Sequence, residues 1–105
     1  MTTNSNALFE MKDENITKAS KALKAMGHPL RLKILCVIGE KELPVMDIVK
    51  QVGTTQSNIS QHIDILREKQ ILTSRRDGSR ILCSVRDKNI LKLMDVMQKT
   101  FCQVQ

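Results

Sequence analysis

The chain of 105 residues has no tryptophan, no tyrosine and only two phenylalanines, Phe9 and Phe101. Modules that bind RNA or single-stranded DNA stack bases on aromatic platforms, and this chain has no residues to build one. It also lacks a long apolar run. The longest, Ile34-Leu35-Cys36-Val37-Ile38, falls far short of the roughly 20 residues a membrane-spanning helix needs. The first residues, Met1-Thr2-Thr3-Asn4-Ser5-Asn6, carry no basic region and no following apolar stretch, so a signal peptide is not expected and the expected location is cytoplasmic. Cysteines rest there as thiols. There are three of them, an odd number with no Cys-x-x-Cys pair, which argues against a disulfide scaffold or a zinc knuckle. Paired carboxylates, a glycine-rich phosphate loop and a nucleophile motif are all missing, so neither an enzyme nor a cofactor is expected.

What is present is positive charge. Lys and Arg number 17 against 11 for Asp and Glu, a net charge of +6. That excess favours a polyanionic partner, and without aromatic platforms double-stranded DNA is the better candidate. Hydrophobic residues at 41% and charged residues at 27% describe one ordinary globular domain. A chain this short buries only about two-thirds of its unfolded surface, so a second subunit would help it.

Residues 1–12 read as a flexible tail and 13–105 as the folded domain. A first helix is expected over Asp13–Met26, with Ala19, Ala22, Leu23 and Met26 on one face. Gly27 ends it, and Pro29 suits the first position of a second helix, whose face is read as Leu32, Leu35, Cys36 and Gly39. Glu40 to Pro44 reads as a connector. Val45–Val52 forms a short third helix with Ile48 and Val49 inward, and Gly53 stops it. A fourth helix runs from about Gln56 to Lys69, capped by Thr54 or Thr55, with Ile59, Ile63 and Leu66 as its core stripe. Ile71–Arg75 and Arg80–Val85 flank Asp77-Gly78, a hairpin signal. A last helix from Asp87 or Lys88 to the end would turn Ile90, Leu93, Met94, Met97 and Phe101 inward. Four helices, a hairpin and a final helix make a mainly α, winged helix-turn-helix layout.

In that layout the fourth helix can enter a major groove. Its outward residues are expected to be Thr55, Gln56, Ser57, Asn58, Ser60, Gln61 and His62. Gln and Asn can bond bidentately to adenine, and Ser can serve several bases or a phosphate. A merely solvated polar face would look the same. The stretch that follows is basic, however: Arg67, Lys69, Arg75, Arg76, Arg80, Arg86 and Lys88 outnumber Glu68, Asp77 and Asp87. Arg75, Arg76 and Arg80 on the hairpin are expected to meet backbone phosphates or an adjacent minor groove.

From Ala19 to Cys102 the sequence resembles the ArsR (ArsR/SmtB) family of bacterial repressors. The resemblance is carried by Leu23-Lys24-Ala25-Met26-Gly27-His28-Pro29-Leu30-Arg31-Leu32-Lys33-Ile34-Leu35, by Gln56-Ser57-Asn58-Ile59-Ser60-Gln61-His62-Ile63-Asp64-Ile65-Leu66, and by Ile71-Leu72 and Asp77-Gly78-Ser79-Arg80. It implies a homodimer built through the first and last helices, operator binding by two recognition helices, and release by an inducer. Many members sense metals, but their ligand sets are not matched here. Leu43-Pro44-Val45-Met46 stands where one class has a Cys-x-Cys pair. Another class needs histidines on the last helix, and no histidine follows His62. No metal is expected.

Taken alone, Cys36 falls in a core stripe and reads as a small hydrophobe. Its pairing with Cys102 at the end of the last helix is similar to the dithiol branch of the family, which includes BigR, SqrR, YgaV and HlyU. That likeness implies that oxidants or reactive sulfur species link the two thiols, by a disulfide or polysulfide bridge, and that DNA is then released. Cys83, on the second hairpin strand, departs from the pattern and reads as packing, although it could compete as a resolving thiol. His28 lies eight residues before Cys36, about 12 Å along a helix axis, too far for a thiolate–imidazole pair. Two alternatives stay open on the sequence: a repressor of the same family without thiol chemistry, and a basic dimeric protein-interaction module.

Overall fold

The computed structural model describes residues 9–102. Its elements run α1 (Asp13–Met26), α2 (Pro29–Ile38), β1 (Leu43–Pro44), α3 (Val45–Val52), α4 (Gln56–Glu68), β2 (Leu72–Asp77), β3 (Arg80–Val85) and α5 (Lys88–Phe101). The fold is a mainly helical winged helix-turn-helix with a small antiparallel sheet in the order β1-β3-β2. The expected tail over 1–12 lies largely outside the described residues, as do 103–105.

Local chemistry explains most boundaries. Asp13 and Glu14 open α1 and Lys24 closes it, matching the signs of the helix dipole. His28 caps α2: its Nδ1 accepts a hydrogen bond from the Leu30 amide at 3.1 Å, and Pro29 follows at the first helical position. Gly53 ends α3 at φ +86°, in the left-handed region that a glycine enters without strain. Thr55 caps α4, its Oγ1 accepting from the Asn58 amide at 3.1 Å. The wing hairpin pairs Asp77 with Arg80, so only Gly78 and Ser79 make the turn, and Gly78 takes φ +64°.

α2 is the hub. It packs on α1, α3, α4 and β3, and Ile34, Leu35 and Ile38 are fully buried. Ile48 of α3, Ile59 and Leu66 of α4, and Ile71 and Cys83 at the base of the wing complete the centre of the core.

The structure revises three expectations. The face of α2 is not Leu32–Leu35–Cys36–Gly39: Ile34, Leu35 and Ile38 face inward and Cys36 is exposed. α2 is apolar nearly all round, so periodicity chooses no side, and the helices packed on it do. Second, the connector contains β1, whose Leu43 and Pro44 pair with Cys83 and Leu82 of β3. Third, no residue of α5 is buried. Ile90 and Met94 pack partly on the core, while Leu93, Val96, Met97 and Phe101 are exposed. α5 meets the body chiefly through β3, which leaves its stripe uncovered within one protomer.

α4 ends without a glycine. Gln70 takes φ +61°, and the Ile71 amide reaches back to the Leu66 carbonyl at 2.9 Å. A residue with a Cβ is strained there. Gln70→Gly is therefore expected to raise stability by about 0.5–1 kcal/mol, and Gln70→Ala not to raise it, as read by chemical denaturation. Equal midpoints for Gln70→Gly and the wild type would show that the exposed Gln70–Arg86 hydrogen bond already offsets the strain.

Candidate nucleic-acid interface

α3, the Gly53 turn and α4 hold the start of α4 at the surface. Its buried stripe, Ile59, Ile63 and Leu66, is anchored on the core, so the opposite side faces solvent. Thr55, Gln56, Ser57 and Gln61 are exposed, and Ser60 is half-buried. The first turn of α4 carries no acidic residue, so the positive end of its dipole is uncompensated. Backbone amides in such a turn suit a phosphate.

Asn58 and His62 stand apart from that set. They lie four residues apart on one flank of α4, and both are half-buried. Asn58 Nδ2 donates to Thr54 Oγ1 at 3.3 Å. His62 does not point outward as expected. Its ring lies 4.6 Å, centroid to centroid, from the His28 ring, and Arg31 Nη1 sits 3.3 Å from its Nδ1. Arg31 Nε in turn donates to the Ala25 carbonyl. Burial first, then the nearby His28 and Arg31 charges, push the His62 pKa below its usual value. A neutral His62 accepts from Arg31 and so ties α4 to the α1–α2 corner. Folding is then unpenalised above the unfolded pKa of about 6.5 and weakens as the pH falls below it. No local sequence pattern marks this corner, because its members come from α1, α2 and α4 and the turn between the first two.

The wing arginines are all exposed, but they are not equivalent. Arg75 is held by Glu42 through two hydrogen bonds, Nη2 to Oε1 at 2.6 Å and Nε to Oε2 at 3.0 Å. That contact is the main reason the Glu42 carboxyl is pushed below its ordinary range and the Arg75 guanidinium above its own. Arg80 pairs with Asp77 at 3.3 Å. Among the described residues Arg76 is in no ion pair. Further in, Arg67 bonds Ser74 Oγ at 2.8 Å and Asp64 at 3.1 Å, fastening α4 to the wing.

A cleft of about 540 Å³ runs between the start of α3, α4 and the wing. It is lined by Gln56, Ser60, Asp64 and Arg67 of α4, by Ser79, Arg80 and Ile81 of the wing, and by Pro44, Met46 and Asp47. Among the described residues no group of three or more His, Cys, Asp or Glu could hold a metal ion, and no helix is long and apolar enough to cross a membrane.

The three thiols sort by exposure. Cys36, in the last turn of α2, and Cys102, which caps α5, are exposed. Cys83 is fully buried in β3, and burial pushes its thiol pKa up.

Comparison with known proteins agrees with this geometry. Residues 28–74, from the cap of α2 into β2, match the family model described as bacterial regulatory protein, arsR family. The HTH-type transcriptional regulator YgaV of Escherichia coli is 31% identical over 86 residues, covering 81% of this chain and 87% of that protein. The biofilm growth-associated repressor of Xylella fastidiosa is 28% identical over 93 residues, covering 89% and 82%. Among solved structures, HlyU from Vibrio cholerae superposes with a TM-score of 0.82 at 27% identity, covering 88% of this chain and all of that one. These relatives are regulators rather than enzymes. A helix-turn-helix with a free α4 face, a basic wing behind it and this kinship give one conclusion: the chain belongs to the ArsR family of bacterial regulatory proteins and is a winged helix-turn-helix transcriptional regulator.

Proposed function

We propose that the protein is a cytoplasmic, homodimeric repressor that binds double-stranded operator DNA and releases it when oxidants or reactive sulfur species bridge Cys36 and Cys102. In this reading Thr55, Gln56, Ser57 and Gln61 meet the major groove. Asn58 and His62 brace the helix from its flank. Arg75, Arg76 and Arg80 meet phosphates or the adjacent minor groove. The cleft supports this reading. The strand that separates a major from a minor groove must pass between a recognition helix and its wing, and Ser60, Gln56 and Arg80 line that passage. The dimer rests on the uncovered apolar residues Ile16 and Leu23 of α1 and Val96, Met97 and Phe101 of α5.

The observation that carries the sensing reading is the exposure pattern of the thiols. The two cysteines of the dithiol branch are open to solvent, and the third is sealed in the core. The chemistry balances without a metal. With hydrogen peroxide, two thiols lose two protons and two electrons, and the peroxide leaves as two waters. With a persulfide, one thiolate takes the outer sulfur and the carrier leaves as its thiol. The second thiolate then attacks the inner sulfur and expels hydrosulfide, leaving a disulfide.

The test is peptide mass spectrometry of the reduced protein after glutathione persulfide, and separately after peroxide. Linked Cys36 and Cys102 peptides are expected, together with loss of DNA binding that is restored by a thiol reductant. Free or independently capped thiols would leave a repressor whose inducer is not a thiol reagent.

A further inference from the structure

Among the described residues the Glu42–Arg75 pair is the one ion pair on the wing made by residues far apart in sequence. Arg80 is matched by Asp77 across the turn, and Arg67 by Asp64 one helical turn away, so both follow from local geometry. Glu42 and Arg75 meet because β1 exists. Leu43 pairs with Cys83 and Pro44 with Leu82, which lays the connector along the outer edge of β3. Arg75 lies on the other side of β3, opposite Leu82. The two side chains therefore reach toward each other over the central strand. They close in a bidentate geometry, the strong form of this contact. A two-residue strand adds little core, but it brings a carboxylate to the basic wing.

We propose that Glu42 sets the wing's discrimination between specific and non-specific DNA by acting as a resident counter-ion for Arg75. While the pair holds, Arg75 presents almost no net charge to a passing phosphate, and Glu42 itself repels one. Non-specific duplex offers only phosphates, so it gains little from the wing. A site that seats α4 in the major groove brings the wing close enough for a phosphate to displace the carboxylate. Glu42 is thus a positioning residue that acts through Arg75. The ion pair is exposed, so its role in folding is small and the expected readout lies in binding.

The inference rests on the proposal that Arg75 meets phosphate, and the experiment separates the two. Glu42→Gln, Arg75→Gln and the double variant are titrated with a mixed-sequence duplex of about 30 base pairs across a salt series, where each phosphate neutralised steepens the log–log slope by about 0.9. Glu42→Gln is expected to tighten binding about threefold to tenfold at low salt and to steepen the slope by about 0.9. In the Arg75→Gln background the same change is expected to leave the slope unchanged and to tighten binding far less, a coupling that a merely structural role would not produce. If Arg75→Gln weakens binding but Glu42→Gln leaves affinity and slope alone, the counter-ion role is wrong and the phosphate contact stands. If neither variant moves the slope, Arg75 does not meet phosphate and both ideas fall together.

Discussion

Val96→Glu is expected to turn the protein into a monomer and to weaken its hold on regulatory DNA about 10²- to 10⁴-fold, the range by which two linked modules exceed one. Val96 is 58% exposed on α5, beside Leu93, Met97 and Phe101, the last of these 73% exposed. On α1, Ile16 and Leu23 are in the same condition. Two amphipathic helices with unmatched apolar stripes at the chain termini are what an isologous interface supplies to itself. A carboxylate in the middle of such a stripe would lose its hydration on association, a cost of several kcal/mol. In the lone protomer it would stay in water, so the fold should survive. Sedimentation and circular dichroism together decide the matter. A folded monomer with poor DNA binding is the expected result. A folded dimer with unchanged binding would place the interface elsewhere.

Much of this fold was legible because its punctuation is strong. Gly27, Pro29, Gly53, Thr55 and Gly78 each mark a boundary for a local backbone reason, and α1, α3 and β3 have the expected limits. The stripe Ile59–Ile63–Leu66 also stands as read, because apart from Ile65 the rest of α4 is polar and its period is clear. The face of α2 is not legible for the opposite reason: its apolar residues surround the axis, and only tertiary contacts choose which are covered. That choice has a functional consequence, since it moves Cys36 from core to surface. β1 gave no signal at all, because two residues have no period and Pro44 discourages a strand. The candidate site was half legible. Residue types predicted the exposed start of α4 and the basic wing. The diversion of His62 to His28 and Arg31, and of Arg75 to Glu42, depends on neighbours distant in sequence and could only be seen in three dimensions.

The thiols give the second large effect. Under native, reducing conditions an alkylating reagent is expected to modify Cys36 and Cys102 rapidly and Cys83 slower by a factor of at least about 10³. Cys83 must wait for the chain to open, and a domain of ordinary stability is open less than about one part in a thousand of the time. Its position explains the protection. It sits in the central strand, opposite Leu43 on one side and Ser74 on the other, with no accessible surface. Burial also raises its pKa, which lowers the fraction of the reactive thiolate. In denaturant all three sites should react alike. The comparison bears directly on mechanism, since a third reactive thiol would divert the first oxidation product from its partner. Protection of Cys83 leaves Cys36 and Cys102 as the thiols an oxidant meets in the folded protein. Modification of Cys83 as fast as the others would mean that the base of the wing opens readily, and a two-thiol switch would lose the physical ground on which it stands.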